Sequence, residues 1–302
     1  MNVEGLSLDQ LRVALAVVDT GSFSAAARRF RRAQSAVSYA IASLEDQLGV
    51  VLFDRTGYRP VLTPAGRSML DDFRAIVARS DDLAARARAL ARGLEPEVRL
   101  VVDAVCSMQA LAELLGEFRR TFPSVDVRLE VETLGMVVER TLQAEGAIGV
   151  IGTLTDLPTG LTRYALPMLP MAAVAAPSHP LALAEVVSPA LLEEQIQIVL
   201  SDRSRRTEGR DYAVLSPRTW RVGDLSAKLA LLRHGLGWGS MPCHMIEEDL
   251  AAGRLKVIRV PGLPLEDVLL VQAFHEAGRQ PGPATMWLLE RLQAPAGDGR
   301  AA

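Results

Sequence analysis

The sequence predicts a mixed α and α/β chain: a helical N-terminal part leading into one long helix, then a body in which strands and helices alternate. Three observations predict it. Apolar residues recur at steps of three and four up to about residue 94, Gly93 and Pro96 break that rhythm, and short apolar strands then alternate with amphipathic stretches. A length of 302 residues supports about two folding units, and 49% hydrophobic residues supply cores for them.

Leu8, Leu11, Leu15 and Val18 predict the apolar stripe of a first helix, which Gly21 ends. Ser22 or Ser24 then caps a short second helix, where Ala25, Ala26 and Ala27 permit close packing. That helix finishes in Arg28, Arg29, Arg31 and Arg32, a cluster of the size of a phosphate contact. In the third helix Val37, Ile41, Leu44 and Leu48 supply a buried face. Ser35, Ser38, Tyr39 and Ala42 recur on the other side as a slim, mostly polar surface that fits a major groove; a bundle helix packing through small residues is the alternative.

The segment VLFDRTGYRPVLT predicts two short strands around Thr56 to Arg59, with Thr63 capping and Pro64 opening the next helix. Three helices and a hairpin make a winged helix-turn-helix. Arg55 and Arg59 at the wing edge reach a DNA backbone or minor groove, or are ordinary surface arginines. Charge supports the DNA reading: residues 1–93 hold 13 arginines against 10 acids, a net +3, while the remainder holds 20 basic against 26 acidic residues, a net −6.

The motifs G-S-F-S-A-A-A from Gly21, A-V-S from Ala36, L-E-x-x-L-G from Leu44, L-F-x-R from Leu52 and L-T-x-A-G from Leu62 occur in order across the first 66 residues. In them the chain resembles a LysR-type transcriptional regulator. The resemblance starts the recognition helix near Gln34 in a helix-turn-helix from about Phe23 to Ala42. It implies that Arg31, Arg32, Gln34, Ser35, Ser38, Tyr39 and Ser43 meet DNA, with Arg55 on the wing. Two departures leave the base preference open: Ala33 replaces the usual Ser or Thr cap, and Tyr39 a longer polar side chain.

Met69, Phe73, Ile76, Ser80, Leu83, Ala87, Leu90 and Leu94 follow steps of four and three, a heptad seam that supports a dimeric coiled coil or packs the helix on its own body. The resemblance implies a dimer or tetramer, hence an interrupted palindromic operator. The expected organisation is a DNA-binding domain at 1–65, a linker helix at 66–94 and an effector-binding domain at 95–302.

Within the last part VRLVV, a helix to Phe122, VDVRLEVE, a second helix and AIGVIG follow in turn. VDVRLEV alternates with Val125, Val127, Leu129 and Val131 on one face, which suits an exposed edge strand; the resemblance places it at a subunit interface. MAAVAA, IQIVL, a helix from Leu225, WGSMP, another helix and KVIRV repeat the pattern before VLLVQAF and a last helix near Trp287. The resemblance makes these the lobes of a domain like type II periplasmic binding proteins, lobe I at about 95–165 and 273–302 and lobe II at about 166–272. The chain would cross between them near Thr153 to Pro170 and near Gln272, with a ligand held between.

Sites in such folds gather at strand carboxyl ends and helix amino ends. That rule selects Cys106, Ser107, Met108 and Gln109, and with them Thr133, Thr153, Ser201 and Asp224, as effector-binding candidates; Ser107 serves equally as a plain helix cap. Gly149, where the family often has Asp, departs from the pattern.

Cys106 and Cys243 lack zinc or disulfide spacing, so a reducing compartment is expected, and MNVEGLSLDQ has no signal-peptide pattern. Tyr164 to Ala184 carries no charge, but Pro167, Pro170, Pro177 and Pro180 argue for short buried strands with turns rather than a membrane span. G-L-G-W-G from Gly235 is read as a helix terminus. Cys243, His244 and Glu248 fall short of a metal-ligand set, and Arg203, Arg205, Arg206 and Arg210 form a solvated run or gate an acidic ligand. No catalytic motif appears, so an enzyme of the α/β lobes is the weaker alternative and a redox sensor using Cys106 the nearer one. Expected partners are double-stranded DNA, a small-molecule effector, further copies of the chain and RNA polymerase, with no cofactor, metal or membrane.

Overall fold

The computed structural model describes residues 5–294 apart from 58, 153–156, 202, 205, 207–212, 265 and 266. The chain falls into two compact units, Met1–Ala89 and Leu90–Ala302.

The first unit builds its core from α1 (Leu8–Thr20), α2 (Phe23–Phe30) and α3 (Gln34–Leu48), a hairpin of β1 (Phe53–Asp54) and β2 (Val61–Leu62), and the start of α4 (Pro64–Ala91). Ser7 opens α1 with a capping box: its hydroxyl accepts from the Gln10 amide while the Gln10 side chain accepts from the Ser7 amide at 2.8 Å. The buried face of α1 is Leu11, Val13, Ala14, Ala16 and Val17, with Leu8 38% exposed. This differs from the expected leucine stripe because α1 packs against both α2 and α3, so small residues occupy the closest approach and Leu8 lies in the turn beyond it. Gly21, at φ 69°, ends the helix where a side chain would be strained.

Ser22 caps α2 by accepting from the Ala25 amide at 3.1 Å, and Phe23 meets Phe53 of the wing edge-on at 5.8 Å. β1 and β2 pair antiparallel, Phe53 opposite Leu62. Thr63 caps α4 through the Gly66 amide at 2.9 Å, and a Cβ on Gly66 would lie 2.2 Å from the Leu52 carbonyl oxygen, so only glycine lets α4 approach the wing this closely. Of the expected seam, Phe73 is buried in the head core and Met69 packs on it. Val77, rather than Ile76, continues that contact, because the head presents its surface four residues on. Ile76 and Leu83 are 45% and 69% exposed. Leu94 packs instead in the core of the second unit.

The second unit is a nine-stranded mixed sheet with helices on both faces. Its elements are β3 (Glu97–Asp103), α5 (Met108–Thr121), β4 (Asp126–Glu132), α6 (Gly135–Gln143), β5 (Ile148–Gly152), β6 (Leu161–Ala175), α7 (Pro180–Leu183), α8 (Pro189–Glu194), β7 (Gln197–Leu200), β8 (Thr219–Val222), α9 (Leu225–Arg233), β9 (Trp238–Pro242), α10 (Cys243–Ala251), β10 (Lys256–Val257), β11 (Asp267–Glu276) and α11 (Pro283–Gln293). The strand order is β4-β3-β5-β11-β6-β9-β7-β8, with β10 also paired to β6. β3 lies between β4 and β5, parallel to both, and its apolar run Leu100, Val101 and Val102 is buried on both faces. β4 is an edge strand whose Val127, Leu129 and Val131 are exposed.

The proline-rich stretch corrects the expectation of short buried strands. Residues 161–175 form one long, mostly unburied strand that contains Pro167 and Pro170, and only Pro177 and Pro180 lie beyond it. Proline fits extended backbone and merely lacks a ladder donor. The register of β6 against β11 shifts between Leu269 and Val271, opposite Leu169 and Leu166, so the ladder breaks at Pro167, whereas Pro170 stays in register opposite Val268. The two strands cross there between lobes. One side is packed around Leu100, Ile148, Ala273 and Leu288, the other around Val174, Ile198, Leu232 and Met241. Gly149 has its own explanation: a Cβ would lie 2.2 Å from the Phe274 ring, which occupies the space a side chain would need.

Candidate nucleic-acid interface and ligand cleft

The outer face of α3 is built by one turn and one helix. Arg31, at φ 54°, closes α2 in the left-handed region, and the Arg32 amide returns to the Ala27 carbonyl at 2.9 Å. The chain therefore reverses within three residues and α3 starts at Gln34. Its N-cap, Ala33, makes no side-chain bond, which leaves the first amides of α3 uncapped. Gln34, Ser35 and Tyr39 are exposed, Tyr39 at 77%, and Ser38 is half-buried beside them.

The arginines around this face are not equivalent. Arg32 pairs with Asp9 at 2.6 Å, and the Asp9 contact holds its guanidinium pKa above the ordinary value. Arg29 lies 3.5 Å from Asp19, whereas Arg28 and Arg31 form no ion pair among the described residues. Ser43 is turned away from the open face: its hydroxyl accepts from Gln10 at 3.1 Å and from Gln47 at 3.3 Å, tying α3 to the α1 cap. Arg55 donates to Glu45 at 2.8 Å and stacks over the Phe23 ring at 5.0 Å. Glu45 also accepts from the Leu52 and Phe53 amides at 2.7 and 3.0 Å, so one carboxylate fixes the wing to the back of α3.

In the second unit a cavity of about 130 Å³ opens between the lobes. Val105, Leu134, Gly152, Leu200 and Leu225 line it, each the chain neighbour of a residue expected from the strand-end rule. Those expected residues take other roles. Ser107 caps α5 by accepting from the Ala110 amide at 3.2 Å, with Met108 and Gln109 exposed behind it. Ser201 donates to the Val222 carbonyl at 3.3 Å, Asp224 caps α9 through the Ala227 amide at 2.7 Å, and Thr133 is buried ahead of α6. Thr153, Arg205 and Arg210 lie outside the described residues.

Cys106 packs between the cores of the two lobes, and burial, with the charge of Asp103 adding to it, pushes its thiol up to about 12. A thiol held that far above neutral pH carries almost no thiolate, which argues against the redox reading.

Sequence reasoning missed the charged groups of the cavity. Asp103, 1% exposed, accepts from the Val105 and Gly152 amides at 3.2 and 3.4 Å and so pins the ends of β3 and β5 together. Lys228 enters from α9, 6% exposed, and its Nζ donates to the Ser240 carbonyl at 2.8 Å. Burial alone lowers its pKa to about 8.

Two family models match the chain: the bacterial regulatory helix-turn-helix protein model of the lysR family over residues 8–67, and the LysR substrate binding domain over residues 91–296. The chain belongs to the LysR family. This regulator is 31% identical over 291 residues to the probable HTH-type transcriptional regulator YhaJ of Escherichia coli K12, covering 95% of this chain and 96% of that one. It is 29% identical over 288 residues to the HTH-type transcriptional regulator PunR of the same strain, covering 93% and 91%. A cysteine mutant of Corynebacterium glutamicum OxyR shares the fold with a TM-score of 0.53 at 17% identity, over 95% of this chain and 92% of that one. The regulator is thus a DNA-binding transcription factor with an effector-binding domain, its head a helix-turn-helix and its body the family's two-lobed α/β domain. No described helix is long and apolar enough to cross a membrane.

Proposed function

We propose that residues 1–65 read an interrupted palindromic operator through the open face of α3, and that residues 66–94 pair two copies through Ile76 and Leu83. A small molecule bound between lobe I (95–165 and 273–302) and lobe II (166–272) then biases the regulator between two states. Dimers or tetramers acting beside RNA polymerase on cytoplasmic DNA complete the proposal. The observation that carries it is the exposed set Gln34, Ser35 and Tyr39, with the half-buried Ser38 beside them, at the uncapped start of a helix. Arg28 and Arg31 flank this face as phosphate contacts, and the uncapped amides of α3 suit a further phosphate. Arg32 and Arg55 are placed as positioning residues through Asp9 and Glu45, and Ser43 as a support for α3.

Footprinting of genomic upstream regions with the purified full chain tests this. Paired protected half-sites are expected about one or two helical turns apart. Tyr39→Ala should change discrimination at a base position by about 1–3 kcal/mol while leaving the unfolding midpoint in place. A genome without protected sites, or a Tyr39→Ala protein that weakens every sequence equally, overturns the base-reading assignment.

A further inference from the structure

We infer that the cleft between the lobes takes a small monocarboxylate, and that Lys228 is the residue that receives its charge. The inference rests on reading that cleft as the effector site. Of the 33 lysines and arginines of the chain only Lys228 and Lys256 are lysines, so the chain meets nearly every need for a surface cation with arginine. The lysine at 228 is not on the surface. It stands on the apolar side of α9 with Leu225, Leu229 and Leu232, and it borders the cavity. An ammonium has three donors; the Ser240 carbonyl uses one, and among the described residues no carboxylate pairs with it. A buried cation without a counter-charge is costly, and a ligand anion supplies the missing half.

The rest of the cavity narrows the chemistry. Leu134, the N-cap of α6, sits at φ 50° and makes no side-chain cap bond, so an uncapped helix start of lobe I borders the same space that Lys228 enters from lobe II. The titratable groups lining the cavity besides Lys228 are Asp103 and Asp267. Asp103 is engaged with backbone amides, and Asp267 is half-buried at the start of β11. Val105, Met171, Ile198 and Leu269 make much of the remaining wall apolar, and the side chain of Gln197, which also lines it, is engaged with the backbone of Ala213, Leu215 and Ser216. A single ammonium matches one negative charge better than the two of a phosphate monoester. A volume of about 130 Å³ holds about four waters at about 30 Å³ each, which sets the scale of a short-chain acid.

The test labels lysine side chains and methionine methyls with carbon-13 in the full-length protein and titrates isobutyrate, 3-methylbutyrate and benzoate against their amides. Carboxylates should move the Lys228 signal, raise its titration midpoint by roughly one pH unit as expected of a tenfold charge coupling, and leave Lys256 in place. Amides should do neither, and Lys228→Met should lose the carboxylate response at least tenfold. Lys228 unmoved by the carboxylates, or equal carboxylate binding by Lys228→Met, overturns the proposal. The Met171 methyl separates the two failures: equal shifts by acids and amides keep the cleft as a ligand site and refute the charge assignment, and no shift from either class refutes both.

Discussion

The open face of α3 and the wall of the cleft are both candidate binding surfaces, yet they are made in opposite ways. Tyr39 is 77% exposed on one helix, whereas Lys228 is 6% exposed at the meeting of α9, β7 and β9. The helical face depends on steps of three and four along a short stretch of chain. The cleft depends on where β3, β5, β6, β7, β11, α6 and α9 end relative to one another, which is decided by the packed sheet. Function on the first surface is therefore separable from stability, and on the second it is not.

The largest expected effect tests that separation inside the head. Glu45 lies on the reverse of the same helix and holds two wing amides and Arg55. Glu45→Ala leaves those amides without their acceptor, at about 1.5–3 kcal/mol for each charged hydrogen bond. A loss of about 3 kcal/mol is expected in the denaturant unfolding of the head. Arg55→Ala should cost about 1 kcal/mol and change the salt slope of DNA binding by less than one, since its guanidinium already has a carboxylate partner. A full unit of slope lost with unchanged stability would place Arg55 on the DNA and break the division between the two faces of α3.

The cleft is sharpened by pH. The pKa of Lys228 is near 8 in the folded chain against 10.5 unfolded, so the folded state binds fewer protons between those values. Its contribution to stability therefore rises with pH across that window and is least favourable below about 8. Lys228→Met removes the buried charge. It should stabilise the second unit by about 2 kcal/mol at pH 7, after about 1 kcal/mol is lost with the bond to Ser240, and the advantage should fade by pH 10 to 10.5. Parallel pH profiles for the two proteins, measured by urea unfolding, would show that the ammonium is solvated in the native state.

How much was legible follows the same division. The turn at Gly21, the Ser22 cap, the buried Val37, Ile41 and Leu44 and the wing around Thr56 to Arg59 all rest on local rules, and the structure has them. The seam of α4 was legible as a period but not as a set of partners: Phe73 and Val77 face the head, Leu83 faces solvent and Leu94 joins the other core. Pro167 and Pro170 suggested interruptions because proline removes donors, but the bulged pairing with β11 absorbs Pro167, and Pro170 keeps its place opposite Val268 in the same strand. In the cleft the residues chosen by the strand-end rule stand one position from the cavity wall, because Ser107 and Asp224 are taken up in capping α5 and α9 and Ser201 bonds back to the Val222 carbonyl. Lys228 carried a signal that went unread: a rare lysine at an apolar position of its helix, four residues after Asp224 and four before Leu232.

The smallest expected effect separates shape from charge at the turn that creates the α3 face. Arg31 is held at φ 54°, which costs a residue with a Cβ about 1 kcal/mol relative to glycine. Arg31→Gly should therefore raise the stability of the head by up to about 1 kcal/mol, and Arg31→Ala should leave it near the parent value, because alanine keeps the strain. Both substitutions remove the same guanidinium and should flatten the salt dependence of operator binding by about 0.9 in slope if Arg31 meets one phosphate. Stability then distinguishes the two variants and DNA binding does not. A slope unchanged in both would assign Arg31 to the turn alone, leave Arg28 as a cation beside the face with no ion pair among the described residues, and show that the left-handed residue is retained for the geometry of the following helix.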